Sequence, residues 1–249
     1  MAERPTPDWP QAYGRLILPE IDSTNAEALR RLPILAGPAW IMTLRQTAGR
    51  GRRGRGWCDT PGNFAASLVL RLNEPPARLA LRSFVAALAL HDALVNLTGL
   101  TQGFALKWPN DVLLNDGKLS GILLESGAGG ALVVGIGVNL RSAPPADADA
   151  LFAPVSLRGE TGLLVSPEAL LDHLAPAFSD WEARFQTYGF EPVRQAFLER
   201  VARLGAPIRA RTMHETFEGR FASIDDSGAL VLDTSAGRRI IPAAEIFFP

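Results

Sequence analysis

Short apolar segments bounded by turn-forming residues dominate the first two thirds of the chain. Such runs, flanked by Gly, Pro, Asn or Asp, are typical of buried β-strands. We therefore expect strands at residues 13–21, 40–44, 64–72, 104–108, 112–114, 119–125 and 131–139. The tripeptide Asn115-Asp116-Gly117 predicts a hairpin between two of them, and the glycine-rich turn 127–130 leads into the last.

Fewer segments show the three-four spacing of apolar residues that marks a helix. They lie at residues 26–32, 81–99, 170–185 and 192–204. Ser23 or Thr24 is the expected N-cap of the first helix, with Glu27 as the reciprocal carboxylate of a capping box. Residues 143–150 have the composition of a loop. Because strands and helices do not alternate regularly, the pattern predicts an α+β fold with a mixed sheet.

The pattern changes near Gly205, where short strands follow one another closely. We expect them at residues 208–213, 216–224, 229–232 and 239–241, separated by turns such as 225–228. A segment of this size and spacing is typical of a small β-barrel. We therefore divide the chain into a larger domain of residues 1–204 and a small C-terminal β-barrel of residues 205–249.

Composition excludes several classes of protein. With 249 residues, 47% of them hydrophobic, the chain can bury a sizeable core, and its net charge of −1 gives no overall attraction to nucleic acid or membrane. Cys58 is the only cysteine, and three histidines lie far apart, so neither a disulfide framework nor a multi-thiolate metal site is expected. Met1–Pro10 lacks the apolar core of a secretion signal. We expect a soluble cytoplasmic protein that does not enter membranes.

The segment from Gln46 to Trp57 is rich in glycine and arginine. Its glycines match the pattern G-x-G-x-x-G, but a dinucleotide site requires a helix directly afterwards, which the following glycines and Pro61 forbid. We interpret the segment as a mobile loop whose guanidinium groups bind carboxylate or phosphate oxygens and which becomes ordered over a ligand. A solvated basic loop and a nucleic-acid patch remain alternatives, although Trp57 is the only nearby aromatic residue for base stacking.

A second candidate segment holds the only two lysines of the chain, Lys107 and Lys118, among 25 basic residues. Lysine offers a compact point charge where arginine offers a planar fork, so these positions suggest a specific need for an ammonium group. Asn110 and Asp111 should end a strand nearby, and Asp111 is a candidate ligand for a magnesium ion carried by a nucleotide. Lys118 can neutralise charge on phosphoryl or carboxylate oxygens. The alternative is an ordinary β-turn.

Two further segments are ambiguous on their own. Glycines within the apolar run 133–140 indicate close approach of a ligand or another backbone, and Asn139 at its end can hydrogen-bond a nucleotide. The alternative is a core strand whose glycines relieve crowding. The segment Asp22–Asn25 is either a plain helix cap or a set of short side chains that bind a small polar ring.

Taken in this order, the segments resemble the biotin–protein ligase family. The resemblance runs from about Leu18 to Asn139, and through the small barrel toward the end of the chain. It implies a catalytic domain of the biotin/lipoate ligase type followed by an SH3-like barrel. It also implies the reaction. The biotin carboxylate attacks the α-phosphate of ATP to give biotinyl-adenylate, and a lysine of a biotin carboxyl carrier domain then displaces AMP.

The resemblance also implies residue roles. The biotin-binding residues would be Ser23, Thr24, Asn25, Gln46, Arg50, Gly51, Arg52, Lys118 and Gly121. The ATP- or adenylate-binding residues would be Arg52, Arg55, Trp57, Asn110, Asp111 and Asn139. Arg52 and Lys118 would be the catalytic pair. Magnesium would enter as the counter-ion of ATP, with Asp111 as its candidate ligand and no tightly bound metal.

The same resemblance frames the alternatives. Some relatives carry an N-terminal helix-turn-helix that binds DNA, whereas only about a dozen residues precede the first strand here, so we expect no DNA binding. A homodimer is left open. A lipoate or octanoate ligase shares the fold and the acyl-adenylate chemistry, but the arginine followed by a run of glycines seen in those enzymes is missing. A nucleic-acid-binding module that uses the Gly/Arg loop is the more distant rival.

Overall fold

A seven-stranded mixed sheet is formed by the larger part of the chain. The computed structural model describes residues 6–58, 60–146 and 152–248, so part of the predicted loop at 143–150 lies outside the described residues. The strands are β1 (Gly14–Leu18), β2 (Ala39–Thr43), β3 (Phe64–Arg71), β4 (Phe104–Lys107), β5 (Asp111–Leu114), β6 (Gly117–Ser126) and β7 (Ala131–Val138). Their order is β1-β2-β3-β7-β6-β5-β4, with β1 and β2 parallel and the other neighbours antiparallel. The predicted α+β class is confirmed.

The two faces of this sheet are covered differently. One face packs against helices that share its main hydrophobic core, namely α2 (Pro76–Ala80), α3 (Arg82–Thr98), α5 (Pro167–Tyr188) and α6 (Glu191–Arg200). A short helix, α4 (Leu157–Thr161), precedes α5. Among the described residues, the helix on the other face is α1 (Thr24–Arg31), which packs on β2, β3 and β7 through a small cluster including Ala28 and Val133. The rest of that face is available for a ligand.

Helix α3 is the central helix of the core. The stretch Pro76–Thr98 is long and apolar enough to cross a membrane by length and composition, but 67% of its most apolar window is buried within the fold. Its main partner is α5, against which buried side chains such as Leu88 pack. The helix ends at Gly99, whose φ of 77° provides the left-handed C-cap, as predicted. This burial is that of a core helix.

Most of the turns and helix caps predicted from local sequence are present in the structure. Asn115 and Asp116 have φ values of 50° and 63°, so they form the two-residue turn between β5 and β6, and the predicted hairpin is confirmed. Ser23 is the N-cap of α1 and accepts from the amide of Ala26. The predicted role of Glu27 is wrong. With Ser23 as the cap, the reciprocal position is Ala26, and Glu27 instead pairs with two arginines of its own helix.

A second sheet, of five antiparallel strands, follows the helices. Its strands are β8 (Pro207–Arg211), β9 (Thr216–Ile224), β10 (Leu230–Thr234), β11 (Gly237–Ile241) and β12 (Glu245–Phe247), in the order β11-β10-β9-β8-β12. Strand β12 is too short to show a period in the sequence and was missed, as was α4. The second sheet contacts the first through Trp108, whose Nε1 donates to the carbonyl oxygen of Gly228 at 2.9 Å. The division of the chain at residue 204 stays a prediction.

Candidate active site

A cavity of about 360 Å³ lies on the open face of the first sheet, within the size range of small-molecule sites. Strands β6 and β7 form its floor, α1 contributes one end, and the Gly/Arg loop covers it. Every residue that the sequence analysis assigned to the site lines this cavity: Ser23, Thr24, Asn25, Gln46, Arg50, Gly51, Arg52, Arg55, Trp57, Asn110, Asp111, Lys118, Gly121 and Asn139. Segments as far apart in sequence as Ser23 and Asn139 therefore meet at one place.

The first turn of α1 forms a buried polar end of the cavity. Thr24 donates to Oε1 of Gln46 through its backbone N at 2.8 Å and through its hydroxyl at 3.2 Å. The side chains of Thr24 and Asn25 are buried, and each also contacts Ser67 of β3. Buried polar groups are stable only when hydrogen-bonded, so these contacts fix the side chains that face the cavity.

Glycines on β6 and β7 allow two side chains to lie directly on the sheet. A β-carbon at Gly135 would fall 2.1 Å from Oδ1 of Asn25, and one at Gly137 would fall 2.4 Å from the indole ring of Trp57. Gly121 is the register partner of Gly137 and also lies under that ring. The glycines thus indicate close approach, as expected. The approaching groups include side chains of the site as well as any ligand.

The Gly/Arg loop doubles back over the cavity. Arg50 and Gly56 form an isolated antiparallel bridge, and the amide of Trp57 donates to the carbonyl oxygen of Gly49 at 2.9 Å. A three-residue 3-10 turn, Arg52–Gly54, forms the tip. The next element is strand β3, so the helix required for a dinucleotide fingerprint does not follow the glycines. This bridge and hydrogen bond hold Trp57 over the sheet.

Two arginines of the loop connect it to distant parts of the chain. Nη1 of Arg52 donates to Oδ1 of Asn110 at 2.8 Å, and Nδ2 of Asn110 donates to the carbonyl oxygen of Ile122 on β6. Nη2 of Arg55 donates to Oε1 of Glu245 at 2.7 Å, on strand β12 of the second sheet. The second sheet thus contributes a carboxylate next to the cavity.

The two lysines converge on one buried carboxylate. Nζ of Lys118 lies 2.9 Å from Oδ1 of Asp111, and Nζ of Lys107 lies 3.4 Å from Oδ2. Burial alone would raise the pKa of Asp111, but the two ammonium groups outweigh it and hold that pKa below its usual range. Burial lowers the pKa of Lys107 more than Asp111 raises it. The arrangement concentrates two positive charges on one anion and leaves Lys118 partly exposed to the cavity.

Comparison with known proteins decides the family. A model described as Biotin/lipoate A/B protein ligase family matches residues 17–140, and one described as Biotin protein ligase C terminal domain matches residues 204–248. A biotin--[acetyl-CoA-carboxylase] ligase from Paracoccus denitrificans is 56% identical over 238 residues, covering 93% of this chain and 99% of that protein. The chain belongs to the biotin protein ligase family.

Other ligases of the family are more distant but cover most of the chain. The bifunctional ligase/repressor BirA of Escherichia coli is 30% identical, over 87% of this chain and 68% of its own length. The solved biotin protein ligase of Aquifex aeolicus in complex with biotin and ATP superposes with a TM-score of 0.82 at 26% identity. That alignment covers 94% of this chain and 97% of the other. The predicted ligase fold, with its second C-terminal sheet, is confirmed.

The ligase site does not fit a resident metal ion. Among the described residues, no group of three or more His, Cys, Asp and Glu side chains is placed to hold one. Asp111 is the carboxylate that the sequence singled out, and each of its oxygens already faces an ammonium group. A dication has little to gain from a carboxylate that two cations already neutralise. Any magnesium would therefore have to bring further oxygen ligands with it.

Two buried polar atoms of the ligase site lack a partner within the part of the chain that the structure describes. They are Nε1 of Trp57, a donor, and Oδ1 of Asn139, an acceptor. The other side-chain atom of Asn139, Nδ2, donates to the carbonyl oxygen of Val155 at 3.1 Å, which fixes the orientation of the amide. Burying a polar group without a hydrogen bond costs free energy. The place of these two atoms beside the cavity therefore indicates a ligand that accepts from Nε1 of Trp57 and donates to Oδ1 of Asn139.

Four residues in or beside this ligase site were not predicted from the sequence. They are Ser67, Glu125, Phe152 and Glu245. Lys107, by contrast, lies in the segment that the sequence singled out for its two lysines, although no role was assigned to it. Ser67 carried a weak signal, as a lone hydroxyl within an apolar strand. Phe152, whose ring lies 4.3 Å from Nζ of Lys107, and Glu245 lie in segments whose sequence shows no relation to the site.

Proposed function

We propose that this chain activates biotin with ATP and transfers it to a lysine of a biotin carboxyl carrier domain. One observation carries the proposal: a single cavity joins a buried, hydrogen-bonding end at α1 to a cationic end at Lys118 and Arg52. Biotin has the complementary shape, with a polar ureido ring at one end and a carboxylate at the other. The names of the Paracoccus and Aquifex relatives support the same substrate.

In the first step, a carboxylate oxygen of biotin forms a bond to the α-phosphorus of ATP, and the bond from that phosphorus to the bridging oxygen breaks. Pyrophosphate leaves with the electron pair. Negative charge collects on oxygens between the reactants, so alignment and charge neutralisation supply most of the catalysis. Lys118 and Arg52 supply the positive charge, with Lys118 held in place by Asp111.

In the second step, a neutral lysine amine of the carrier attacks the carbonyl carbon of biotinyl-adenylate. The bond from that carbon to the phosphate oxygen breaks, AMP leaves, and the new amide nitrogen loses a proton. The same cationic groups that stabilise the first step also stabilise the leaving phosphate. Because the adenylate is sensitive to water, closure of the Gly/Arg loop protects it between the steps.

The residues divide between the two substrates. We propose that Ser23, Thr24, Asn25 and Gln46 bind the ureido ring, and that Arg50, Gly51 and Gly121 complete the biotin site. Asn110 and Asp111 lie toward the phosphates with Arg55, and Trp57 and Asn139 lie toward the nucleoside. Oδ1 of Asn139, buried and unpaired among the described residues, suits the exocyclic amino group of adenine.

Several further parts of the proposal concern partners. Magnesium enters with ATP as the counter-ion of its phosphates, and no metal is bound tightly; Asp111, already paired with two lysines, is not proposed as its ligand. The acceptor is a carrier domain of a carboxylase, and the enzyme acts in the cytoplasm without binding DNA or membrane. A homodimer is a further proposal, which sedimentation at several protein concentrations tests directly.

Biotin-dependent exchange of radiolabelled pyrophosphate into ATP is the decisive experiment. We expect exchange that requires biotin and magnesium and that lipoate or octanoate does not replace. Exchange with lipoate alone would assign the chain to the lipoate ligases. If no acid supports exchange and the chain binds DNA with a steep salt dependence, the nucleic-acid alternative is correct.

A further inference from the structure

A chain of hydrogen bonds runs beneath the buried end of the cavity and returns to the loop. It begins at Gln46, whose Oε1 accepts from Thr24. The hydroxyl of Ser67 lies 2.8 Å from Oγ1 of Thr24 and donates to Oδ1 of Asn25 at 2.5 Å. Nδ2 of Asn25 in turn donates to Oε2 of Glu125 at 2.7 Å. Each link joins a different element of the fold.

The carboxylate of Glu125 also contacts the loop. Its second oxygen, Oε1, lies 3.6 Å from Nη1 of Arg50. Arg50 is four residues beyond Gln46, so the ion pair returns the hydrogen-bonded chain to the loop on which it starts. Its intermediate members, Ser67 and Asn25, are buried side chains with fixed orientation. A displacement of Asn25 therefore reaches Glu125 and, through it, Arg50.

The ion pair between Arg50 and Glu125 is weak enough to form and break readily. The side chains of Arg50 and Glu125 are 51% and 26% exposed, and the separation is longer than that of a direct hydrogen bond. Exposed ion pairs of this kind contribute little to stability. The pair is too weak to hold the loop closed alone, but it can favour closure when the cavity is occupied.

From this arrangement we infer that Glu125 is a positioning residue that couples occupancy of the α1 end of the cavity to closure of the Gly/Arg loop. It holds Asn25 through one oxygen and Arg50 through the other, without lining the cavity itself. The inference rests on the proposed function, because it takes biotin as the ligand. It assigns a role to a residue outside the predicted site.

The variant Glu125→Gln tests this role. The amide keeps the size of the side chain and an acceptor for Asn25, but it removes the charge that faces Arg50. We expect the KM for biotin and the rate of biotinyl-adenylate release to rise together by about three- to fivefold, the range of an exposed ion pair. The kcat at saturating biotin should stay within about twofold, because the charge neutralisation at Lys118 is untouched. An unchanged melting temperature would show that the Glu125→Gln variant keeps the fold of the wild type.

A matched control and a second background make the test specific. Glu20→Gln removes another exposed carboxylate, which pairs with Arg45 at 2.9 Å beside the same loop, and should leave both quantities unchanged. In an Arg50→Gln background, Glu125→Gln should have no further effect, since the two variants break one interaction.

Three results would overturn the inference: unchanged biotin KM in Glu125→Gln, an equal effect in both backgrounds, or a fall in kcat alone. Each presupposes that the wild-type chain performs biotin-dependent pyrophosphate exchange. A wild-type chain without such exchange would instead refute the proposed function, so the two failures are distinguishable.

Discussion

Lys118 reaches back across the β5–β6 hairpin to Asp111, with 2.9 Å between Nζ and Oδ1. The carboxylate is buried and binds Lys107 through its other oxygen. The position of the ammonium group is thus set by a residue on the paired strand of the same hairpin, where Lys118 is the register partner of Leu113 and Asp111 that of Gly121. Because Asp111 fixes where the ammonium group lies, a substitution that keeps the charge of residue 118 but changes its shape can test whether that position matters.

Lys118→Arg keeps the charge but replaces a point charge with a planar fork. The larger group cannot occupy the same position beside Asp111, so we expect adenylate formation to fall by about 100-fold, the cost of losing one well-placed stabilising group. Biotin binding should change little. Single-turnover formation of biotinyl-adenylate and equilibrium dialysis with biotin measure the two effects. Arg45→Lys, at an exposed ion pair, is the matched control. Turnover close to that of the wild type would refute the assigned role.

Asp111→Asn removes the anion that two lysines share. Breaking a buried ion pair by changing one partner typically costs about 3–5 kcal/mol, so the free energy of unfolding should fall strongly. The phosphates of ATP can pair with Lys107 and Lys118, which have lost their carboxylate partner. ATP should therefore raise the melting temperature of the variant more than that of the wild type. Asp233→Asn, at an exposed pair with Arg238, should show neither effect. An equal response to ATP in both proteins contradicts the prediction.

Gly135→Ala places a methyl group where Oδ1 of Asn25 lies, 2.1 Å from the new β-carbon. Asn25 must then move, and the buried hydrogen bonds to Ser67 and Glu125 weaken. We expect biotin affinity to fall by about tenfold, equivalent to the loss of one such bond, with nucleotide binding retained. Isothermal titration with each ligand measures this. Gly37→Ala, whose added β-carbon meets nothing within 4 Å, is the control. Unchanged biotin affinity would show that Asn25 does not contribute to that end of the cavity.

Arg52→Ala removes the loop side chain that binds Asn110. The guanidinium joins the loop to Asn110, which in turn binds β6, and in the proposed reaction it also neutralises the adenylate. Its loss should therefore speed release of the bound intermediate by about tenfold or more. Dissociation of preformed biotinyl-adenylate, trapped by dilution, measures the rate. Arg238→Ala alters an arginine that lies on the exposed edge strand of the second sheet and should have no effect. Release at the wild-type rate would count against contact between Arg52 and the intermediate.

We expect the buried side chain of His173 to make the protein less stable at mildly acidic pH. Burial holds its pKa below the ordinary value of 6.5, and nearby Asp172 offsets this only in part. The unfolded chain therefore binds the proton more readily. The free energy of unfolding should be fully retained above pH 6.5 and should fall as the pH decreases through 6.5 toward the lower pKa of the folded state.

Chemical denaturation at pH 7.5 and pH 5.5 measures the loss of stability. His173→Gln should reduce the difference between the two conditions, whereas His214→Gln, at an exposed position, should not. An identical pH dependence in His173→Gln and the wild type would contradict the assignment.

The positions of the strands along the chain and many of the residues that line the cavity could be predicted because their signals are local. The Asn115-Asp116 turn, the Ser23 cap and the apolar runs each depend on residues close together in sequence. Lys118 and Arg52 were identified because their residue types are chemically specific and lie in recognisable motifs. In each case the information needed was contained in a short window.

The features that could not be predicted depend on contacts between distant segments. Nothing near Glu125 in the sequence indicates that it binds both Asn25 and Arg50, and nothing near Glu245 indicates that it faces Arg55. The error at Glu27 has a different, local origin, because a shift of one residue in the position of the cap changes which side chain reaches it. The hydroxyl of Ser67 meets Thr24 and Asn25 only because β3 pairs with β7 and lies under α1, which the sequence around Ser67 does not indicate.

The contact between Arg55 and Glu245 has a consequence for how the enzyme is made. Glu245 lies on β12, which follows in sequence every described residue that lines the cavity, so during translation the ribosome delivers it after them. A nascent chain in which β12 is still in the exit tunnel cannot bring this carboxylate to Arg55. The Gly/Arg loop therefore gains this contact only after β12 has emerged.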